Sequence, residues 1–292
     1  MEILKLGSKG NEVKKLQEYF ELKVDGEFGP KTEEEVKKFQ RKNALVPDGI
    51  VGKSTWEAMG FVSTDLFENK NQAKGLEIKQ HFLPLGEYKR EKTKKEWAFL
   101  HHTAGWENPF KTIDAWANDK RGAIGTEFVL GGQNVKTCDK TNDGILVQAF
   151  PTGHYAWHLG TGSNKLHSGS VGLEICNFGQ IKDGKTYVGT KAHEAQIVKL
   201  QKPFRGYQDW HKYSDVQILT IKDWILFIAD RDDIDVRKGL IELIHKKGAD
   251  AFDHFDLPLV EKTRGLWTHT NVRKDKVDLF PQPELIDMLL SI

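Results

Sequence analysis

The first sixty residues place apolar side chains at helical spacing between short polar turns. Val13, Leu16 and Phe20 recur at intervals of three and four residues, as on one face of an amphipathic helix. Val36 and Phe39 repeat this pattern further along. An Asp-Gly pair follows each helical stretch and indicates a tight turn, because glycine allows a positive φ and aspartate can bond its own backbone. The segment predicts a small bundle of three helices.

The same segment contains an internal repeat with an offset of 23 residues. Residues 13–17 return as 36–40, and residues 25–29 return as 48–52. Matches at one offset over both a helix and a turn indicate a duplicated supersecondary unit. Thr32 followed by Glu35 predicts a capping box at the start of the second helix.

Beyond residue 76, short apolar runs alternate with longer amphipathic stretches. Short apolar runs are typical of buried strands, whereas apolar positions at three- and four-residue spacing are typical of helices. The predicted strands lie at 78–83, 97–100, 127–130, 145–150 and 170–176. The predicted helices lie at 112–120, 191–200, 215–229 and 239–247. These elements predict an α/β domain with a mixed central sheet flanked by helices, preceded by the small all-α three-helix domain.

The length of 292 residues and the change of pattern divide the chain into two domains. We expect the helical domain at 1–61, a polar linker at 62–75 and the α/β domain at 76–292. The formal net charge of +1 does not favour binding to nucleic acid or to an anionic membrane. No apolar run is long enough for a membrane span, and two cysteines are too few for a disulfide framework.

Two segments carry side chains that suit metal binding or catalysis. The strand at 97–100 leads into His101 and His102, whose side chains point to opposite faces, so that at most one serves a given site. The segment from His269 onwards adds Lys276 and Asp278. Residues two apart in an extended segment point the same way, so Lys276 and Asp278 can face one cavity.

A single carboxylate, Glu174, interrupts the apolar run at 170–176. A carboxylate in such a strand costs free energy unless it is paired or functional, so we favour a functional residue. The alternative is an exposed position on an edge strand. His245 and His254 remain rival metal ligands on residue type alone.

The N-terminal segment resembles the peptidoglycan-binding domain found on many cell-wall hydrolases. The matching features are Gly7-Ser8-Lys9-Gly10, the Val-x-x-Leu-Gln and Val-x-x-Phe-Gln helices, and the two Asp-Gly-x-x-Gly turns. The resemblance covers residues 3–60. It implies binding to the glycan or the stem peptide of the bacterial wall.

The second domain resembles zinc-dependent N-acetylmuramoyl-L-alanine amidases, the group that includes phage lysozymes of the amidase type and peptidoglycan recognition proteins. Four motifs occur in the family's order: His-His-Thr-Ala-Gly at 101–105, Ala-Trp-His at 156–158, Ser-Val-Gly-Leu-Glu at 170–174 and the loop at 269–278. The resemblance covers 76–183 and 264–290, and residues 240–262 have no counterpart in it. It implies hydrolysis of the amide between the lactyl group of muramic acid and L-alanine.

The resemblance also implies a role for each site residue. The zinc ligands would be His101, His269 and Asp278, with the fourth position left to water. Glu174 would act as general base, and Lys276 would stabilise the oxyanion. The expected substrate contacts are His158, Trp157, Asn177 and Thr103.

One departure from the family concerns the general base. Many relatives carry a tyrosine in the strand where this chain has Gly125-Thr126-Glu127. Thr126 lacks the acidity of a phenol, which places more weight on Glu174. Glu127 is the reserve candidate.

Two alternatives remain at this stage: a non-catalytic peptidoglycan-recognition protein on the same fold, and a zinc peptidase that cuts within the stem peptide. The three filled ligand positions favour catalysis.

A wall-binding domain without an export signal is typical of a phage endolysin, which gathers in the host cytoplasm and reaches the wall when the membrane is opened. A bacterial autolysin exported by another route is the alternative. We expect a monomer.

Overall fold

The computed structural model describes residues 4–43, 45, 47–59 and 76–292. The chain forms two compact units, Met1–Lys74 and Gly75–Ile292. The predicted linker at 62–75 lies outside the described residues.

The first unit contains helices α1 (Asn11–Tyr19), α2 (Pro30–Lys42) and α3 (Lys53–Ala58), which confirms the predicted helical domain. Its core is formed by fully buried apolar side chains, among them Val13, Leu16, Val36, Val51 and Trp56. The predicted capping box of Thr32 and Glu35 is wrong. The helix begins two residues earlier at Pro30, whose fixed φ suits a first helical position.

The internal repeat has a structural explanation in the two glutamines that end its helical half. The amide of Gln17 donates to Asp25 at 2.8 Å, and the amide of Gln40 donates to Asp48 at 2.8 Å. Each glutamine also accepts a hydrogen bond from the N–H of the glycine after the aspartate, at 2.8 and 2.9 Å. Both glycines have φ of +76°, which an L side chain rarely adopts. The repeated residues therefore stabilise their own turns.

Six strands among the described residues of the second unit form one sheet in the order β1-β4-β3-β5-β2-β9. The strands are β1 (Ile78–Gln80), β2 (Trp97–His102), β3 (Phe128–Leu130), β4 (Leu146–Gln148), β5 (Ser170–Ile175) and β9 (Gly265–Thr268). The β3–β4 pair is antiparallel and the other pairs are parallel, so the predicted mixed sheet is confirmed. The central strands β2 and β5 are buried almost throughout, as expected for a sheet covered on both faces.

Helices cover the sheet and frame its edges. They are α4 (Pro109–Ala117), α5 (Asn164–Ser168), α6 (Asp215–Asp232), α7 (Leu240–Lys247), α8 (Leu257–Lys262), α9 (His269–Val272) and α10 (Pro283–Leu290). Short 3₁₀ turns occupy Glu194–Gln196 and Gly248–Asp253. The long helix α6 starts after a capping box of Ser214 and Gln217. It packs on β3 through Trp224, whose ring meets Phe128 edge-on at 6.1 Å.

A smaller antiparallel sheet contains β6 (Gln180–Ile181), β8 (Tyr207–His211) and β7 (Ile197–Phe204), in that order. The predicted helix at 191–200 is therefore wrong. Ile197 and Val198 are β-branched and suit a pleated strand, and Val198 lies opposite Trp210 of β8. Cross-strand packing overrides the weak helical spacing of this segment.

No helix in the described part of the chain is both long and apolar enough to cross a membrane.

Candidate metal centre

The candidate site is built where two parallel strands end side by side. In the register of β2 and β9, Leu100 lies opposite Thr268, so the next residues, His101 and His269, emerge at the same edge. His269 opens the single turn α9, whose start is held by hydrogen bonds between Thr268 and Asn271. Functional side chains are commonly held at the carboxyl ends of parallel strands.

Three side chains meet at this edge. The Nδ1 atoms of His101 and His269 lie 3.1 Å apart. Asp278 Oδ2 lies 2.9 Å from Nδ1 of His269 and 3.5 Å from Nδ1 of His101. All three residues are buried, and they form a group of possible metal ligands within 4.8 Å of one another.

The outer nitrogens of the two imidazoles are also engaged. Nε2 of His269 lies 2.9 Å from the carbonyl oxygen of Leu159. A carbonyl can only accept, so Nε2 of His269 carries the hydrogen and Nδ1 keeps its lone pair. Nε2 of His101 lies 3.0 Å from Nδ1 of His158.

The three donor atoms fit a zinc ion. Ligand atoms about 2.0–2.2 Å from a tetrahedral zinc lie roughly 3.3 Å from one another, and the separations here are 2.9, 3.1 and 3.5 Å. Burial lowers the pKa of His101 to about 4, which keeps its imidazole neutral. Burial acts to raise the pKa of Asp278, but the neighbouring His269 and His101 hold it well below its usual range. Neutral imidazoles with a carboxylate are ligands that suit zinc.

Glu174 stands next to this group on a central strand and not on an edge. It lies opposite His101 in the parallel register of β2 and β5. Burial, together with the charge of Asp278, raises the pKa of Glu174 to about 8, and the charge of Lys276 acts in the opposite direction. A protein carboxyl group whose pKa is raised toward neutrality is suited to proton transfer.

A cleft of about 610 Å³ opens beside Glu174. Its lining includes Thr103, Trp106, Glu107, Trp116 and Arg121. Thr103, a predicted substrate contact, thus lies in the same cleft as Glu174.

Lys276 is half-buried on the loop that leads to Asp278. Its ammonium group forms no ion pair with the residues that the structure describes. It acts on the pKa of both Glu174 and His101, which places its charge near the candidate ligands.

Two predicted substrate contacts have other partners in the structure. Asn177 is fully buried, and its amide donates to the carbonyl oxygen of His211 at 2.8 Å and accepts from the N–H of Gly179 at 2.7 Å. Trp157 packs edge-on against His167 at 4.7 Å. The side chain of Asn177 is thus bonded within the protein and closed to solvent.

Glu127, the reserve base, lies in a buried ion pair. Its carboxylate is 2.7 Å from Arg231 and also accepts from Gln148 at 3.0 Å and from Thr152 at 3.2 Å. This ion pair joins α6 to the residue that precedes β3. The carboxylate of Glu127 is not a member of the candidate ligand group.

His102 and the two rival ligands, His245 and His254, do not belong to the candidate ligand group. His102 points away from His101 and lies 3.0 Å from the hydroxyl of Tyr213. The rival ligands are separate from the site: His245 is exposed, and His254 lies 3.3 Å from the ammonium group of Lys247.

Sequence reasoning missed two groups that hold the site in place. One is Ser170, which lies 2.8 Å from Nε2 of His158. Strand alternation places Ser170 and Glu174 on the same face, and this signal could have pointed to it. The other is Arg205, which donates to the backbone of the loop that carries Lys276.

Comparison with known proteins matches residues 9–59 to a family model described as a putative peptidoglycan binding domain. This match falls within the first unit and coincides with the internal repeat. A stretch of 41 residues is 54% identical to an uncharacterized protein encoded in the bpoA1 3′ region of Kitasatospora aureofaciens. The stretch is 14% of this chain and 35% of that relative, so the match spans about a third of the relative's length.

Solved structures with a weak likeness to this chain include three proteins. The hydrolase AmiA of Staphylococcus aureus is 13% identical with a TM-score of 0.40, over 78% of this chain and 88% of that chain. An AmpD derivative is 12% identical with a TM-score of 0.39, over 74% and 96%. The N-acetylmuramyl-L-alanine amidase AmiD of E. coli is 18% identical with a TM-score of 0.33, over 51% and 48%. Likenesses at this level assign neither an activity nor a site to this chain.

Proposed function

We propose that this chain is a zinc-dependent peptidoglycan hydrolase that cleaves the amide between N-acetylmuramic acid and L-alanine of the stem peptide. The observation that carries the proposal is the convergence of Nδ1 of His101, Nδ1 of His269 and the carboxylate of Asp278 beside Glu174. The family match at residues 9–59 supports peptidoglycan as the ligand of the first unit.

The three ligands would hold zinc, which supplies a Lewis acid and lowers the pKa of bound water to about 7. Glu174 takes the proton of the attacking water and then gives it to the leaving amine of L-alanine. Lys276 neutralises the negative charge that develops on the scissile carbonyl oxygen, an interaction of a few kcal/mol in a partly buried site. The cleft lined by Thr103 and Trp106 receives the substrate beside Glu174.

The proposal is tested by Glu174→Gln, which keeps the shape of the side chain but removes its basicity. We expect hydrolysis of purified peptidoglycan to fall by about 100-fold or more, while the zinc content of the protein stays at the wild-type level. Loss of activity with zinc retained would separate proton transfer from metal binding.

Glu242→Gln is the matched control, because it makes the same substitution at an exposed glutamate of α7 that does not line the cleft. We expect its hydrolysis rate to stay close to wild type. Wild-type hydrolysis by the Glu174→Gln variant with bound zinc would contradict the role of Glu174.

A further inference from the structure

A chain of hydrogen bonds runs outward from His101 into the sheet. Nε2 of His101 lies 3.0 Å from Nδ1 of His158, and Nε2 of His158 lies 2.8 Å from the hydroxyl oxygen of Ser170. Ser170 is 4% exposed and opens β5, the strand that also carries Glu174. Both ring nitrogens of His158 are thus occupied inside the protein, although this residue was predicted to contact substrate.

The strand β5 leaves a space that His158 fills. Gly172 lies between Ser170 and Glu174 on the same face of β5. A Cβ at this position would come within 3.1 Å of Nδ1 of His158 and 2.7 Å of the Thr126 side chain. The absence of a side chain at Gly172 therefore allows His158 to lie against the strand and reach His101.

The direction of these hydrogen bonds follows from which nitrogen of His101 would bind the metal. When Nδ1 of His101 offers its lone pair to a cation, Nε2 carries the ring hydrogen and must donate it. His158 then accepts at Nδ1 and donates from Nε2 to the hydroxyl of Ser170. The other imidazole, His269, has its hydrogen held by the carbonyl of Leu159, so each ligand has its own partner.

We propose that His158 and Ser170 are positioning residues that hold His101 in the tautomer and orientation required for metal binding. This inference rests on the metal site of the proposed function. Metal-bound histidines commonly donate their second nitrogen to a carboxylate, carbonyl or water, and loss of such a partner costs about 10- to 100-fold in metal affinity. Here a second imidazole, backed by a serine hydroxyl, takes that place.

The test is the zinc dissociation constant, measured by competition with a chromophoric chelator, for the full chain and three variants. His158→Leu removes the acceptor, and we expect zinc affinity to fall by about 10- to 100-fold. His158→Asn offers an amide oxygen near the position of Nδ1, and we expect it to recover most of this loss. Ser170→Ala removes one neutral hydrogen bond, and we expect a loss of about threefold to tenfold.

His245→Leu is the matched control, because it makes the same substitution at an exposed histidine, and we expect unchanged zinc affinity. Thermal unfolding of the metal-free proteins separates a general loss of structure from a specific effect on the ligand. If His158→Leu fails to fold, His158→Asn and Ser170→Ala decide the question.

The outcomes distinguish the two proposals. If the wild-type protein binds zinc and the His158→Leu and Ser170→Ala variants bind it equally well, the positioning role is overturned and the metal site is unaffected. Wild-type protein that binds no zinc would overturn the metal site itself. Equal weakening by His158→Asn and His158→Leu would show that the acceptor nitrogen is not what matters.

Discussion

At the scale of single residues, burial acts in opposite directions on the groups of the site. Burial lowers the pKa of His101 to about 4, and it raises the pKa of Glu174 to about 8. At neutral pH the metal-free site therefore contains a neutral His101 and a largely protonated Glu174. A bound cation would add positive charge and lower the pKa of Glu174, which would make its carboxylate available as a base.

A buried lysine gives a prediction about stability. Lys95 is 3% exposed, and its ammonium group donates to the carbonyl oxygen of Ser168 at 2.8 Å. Burial lowers its pKa from 10.5 to about 8, although Glu127 and Asp232 act to raise it. Between about pH 8 and pH 10.5 the unfolded chain binds more protons than the folded chain, so folding becomes more favourable as pH rises.

We expect the Lys95→Met variant to lack this contribution. Its free energy of unfolding relative to wild type should decrease as pH rises from 7.5 to 10, by up to roughly 3 kcal/mol. Urea unfolding at both pH values measures the difference, with Lys79→Met on the exposed face of β1 as the control. A difference that is constant with pH would contradict the lowered pKa of Lys95.

At the scale of elements, the hairpin of β7 and β8 holds the loop that carries Lys276. Arg205 lies at the turn of this hairpin with φ of +48°. Its guanidinium donates to the carbonyl oxygens of Lys274 and Lys276, the former at 2.6 Å, and to Asp253 at 2.7 Å. One side chain thus joins three segments that are distant in sequence.

We expect Arg205→Ala to release this loop and to lower kcat/KM for peptidoglycan hydrolysis about tenfold, which corresponds to roughly 1.4 kcal/mol. A lysine at this position keeps one donor but not the planar fork, so Arg205→Lys should recover only part of the loss.

Arg237→Ala is the control for this experiment. Arg237 also donates to a main-chain oxygen, that of Ile292, at 2.8 Å. Its removal should leave kcat/KM unchanged. Equal rates for Arg205→Ala and wild type would show that the loop is positioned without the hairpin.

The sequence predicts those features of the fold that are encoded locally. The strand ending at His101 and His102, the helix at 215–229 and the Asp-Gly turns follow from spacing and turn chemistry within a few residues. The segment 191–200 was predicted as a helix because its apolar positions also fit a helical period. Its true state depends on β8, which lies further along the chain.

The partners of polar side chains are harder to predict for the same reason. Glu127 and Glu174 are both carboxylates at predicted strands, and nothing in their neighbours separates them. The difference is Arg231, 104 positions after Glu127, which neutralises that carboxylate. Likewise, the contact of His101 with His158 depends on the space at Gly172, which no spacing rule reveals.

At the scale of the whole molecule, the two units have different roles in the proposed function. The first unit matches a peptidoglycan-binding family and uses its repeated polar residues to stabilise turns. The second unit contains the candidate metal ligands, Glu174 and the cleft. With a formal net charge of +1, the chain has no strong overall attraction to a charged polymer, so the proposed binding to peptidoglycan would depend on specific contacts.

The most direct measurement is the identification of the new end groups that the full chain releases from purified peptidoglycan. The protein is stripped of metal with a chelator, assayed, and assayed again after zinc is restored. We predict no release without metal, and zinc-restored release of stem peptides with a free N-terminal alanine and no new reducing sugar. Zinc-restored release of fragments cut within the stem peptide would instead identify a peptidase, and binding to peptidoglycan without hydrolysis in either state would contradict the proposed enzyme.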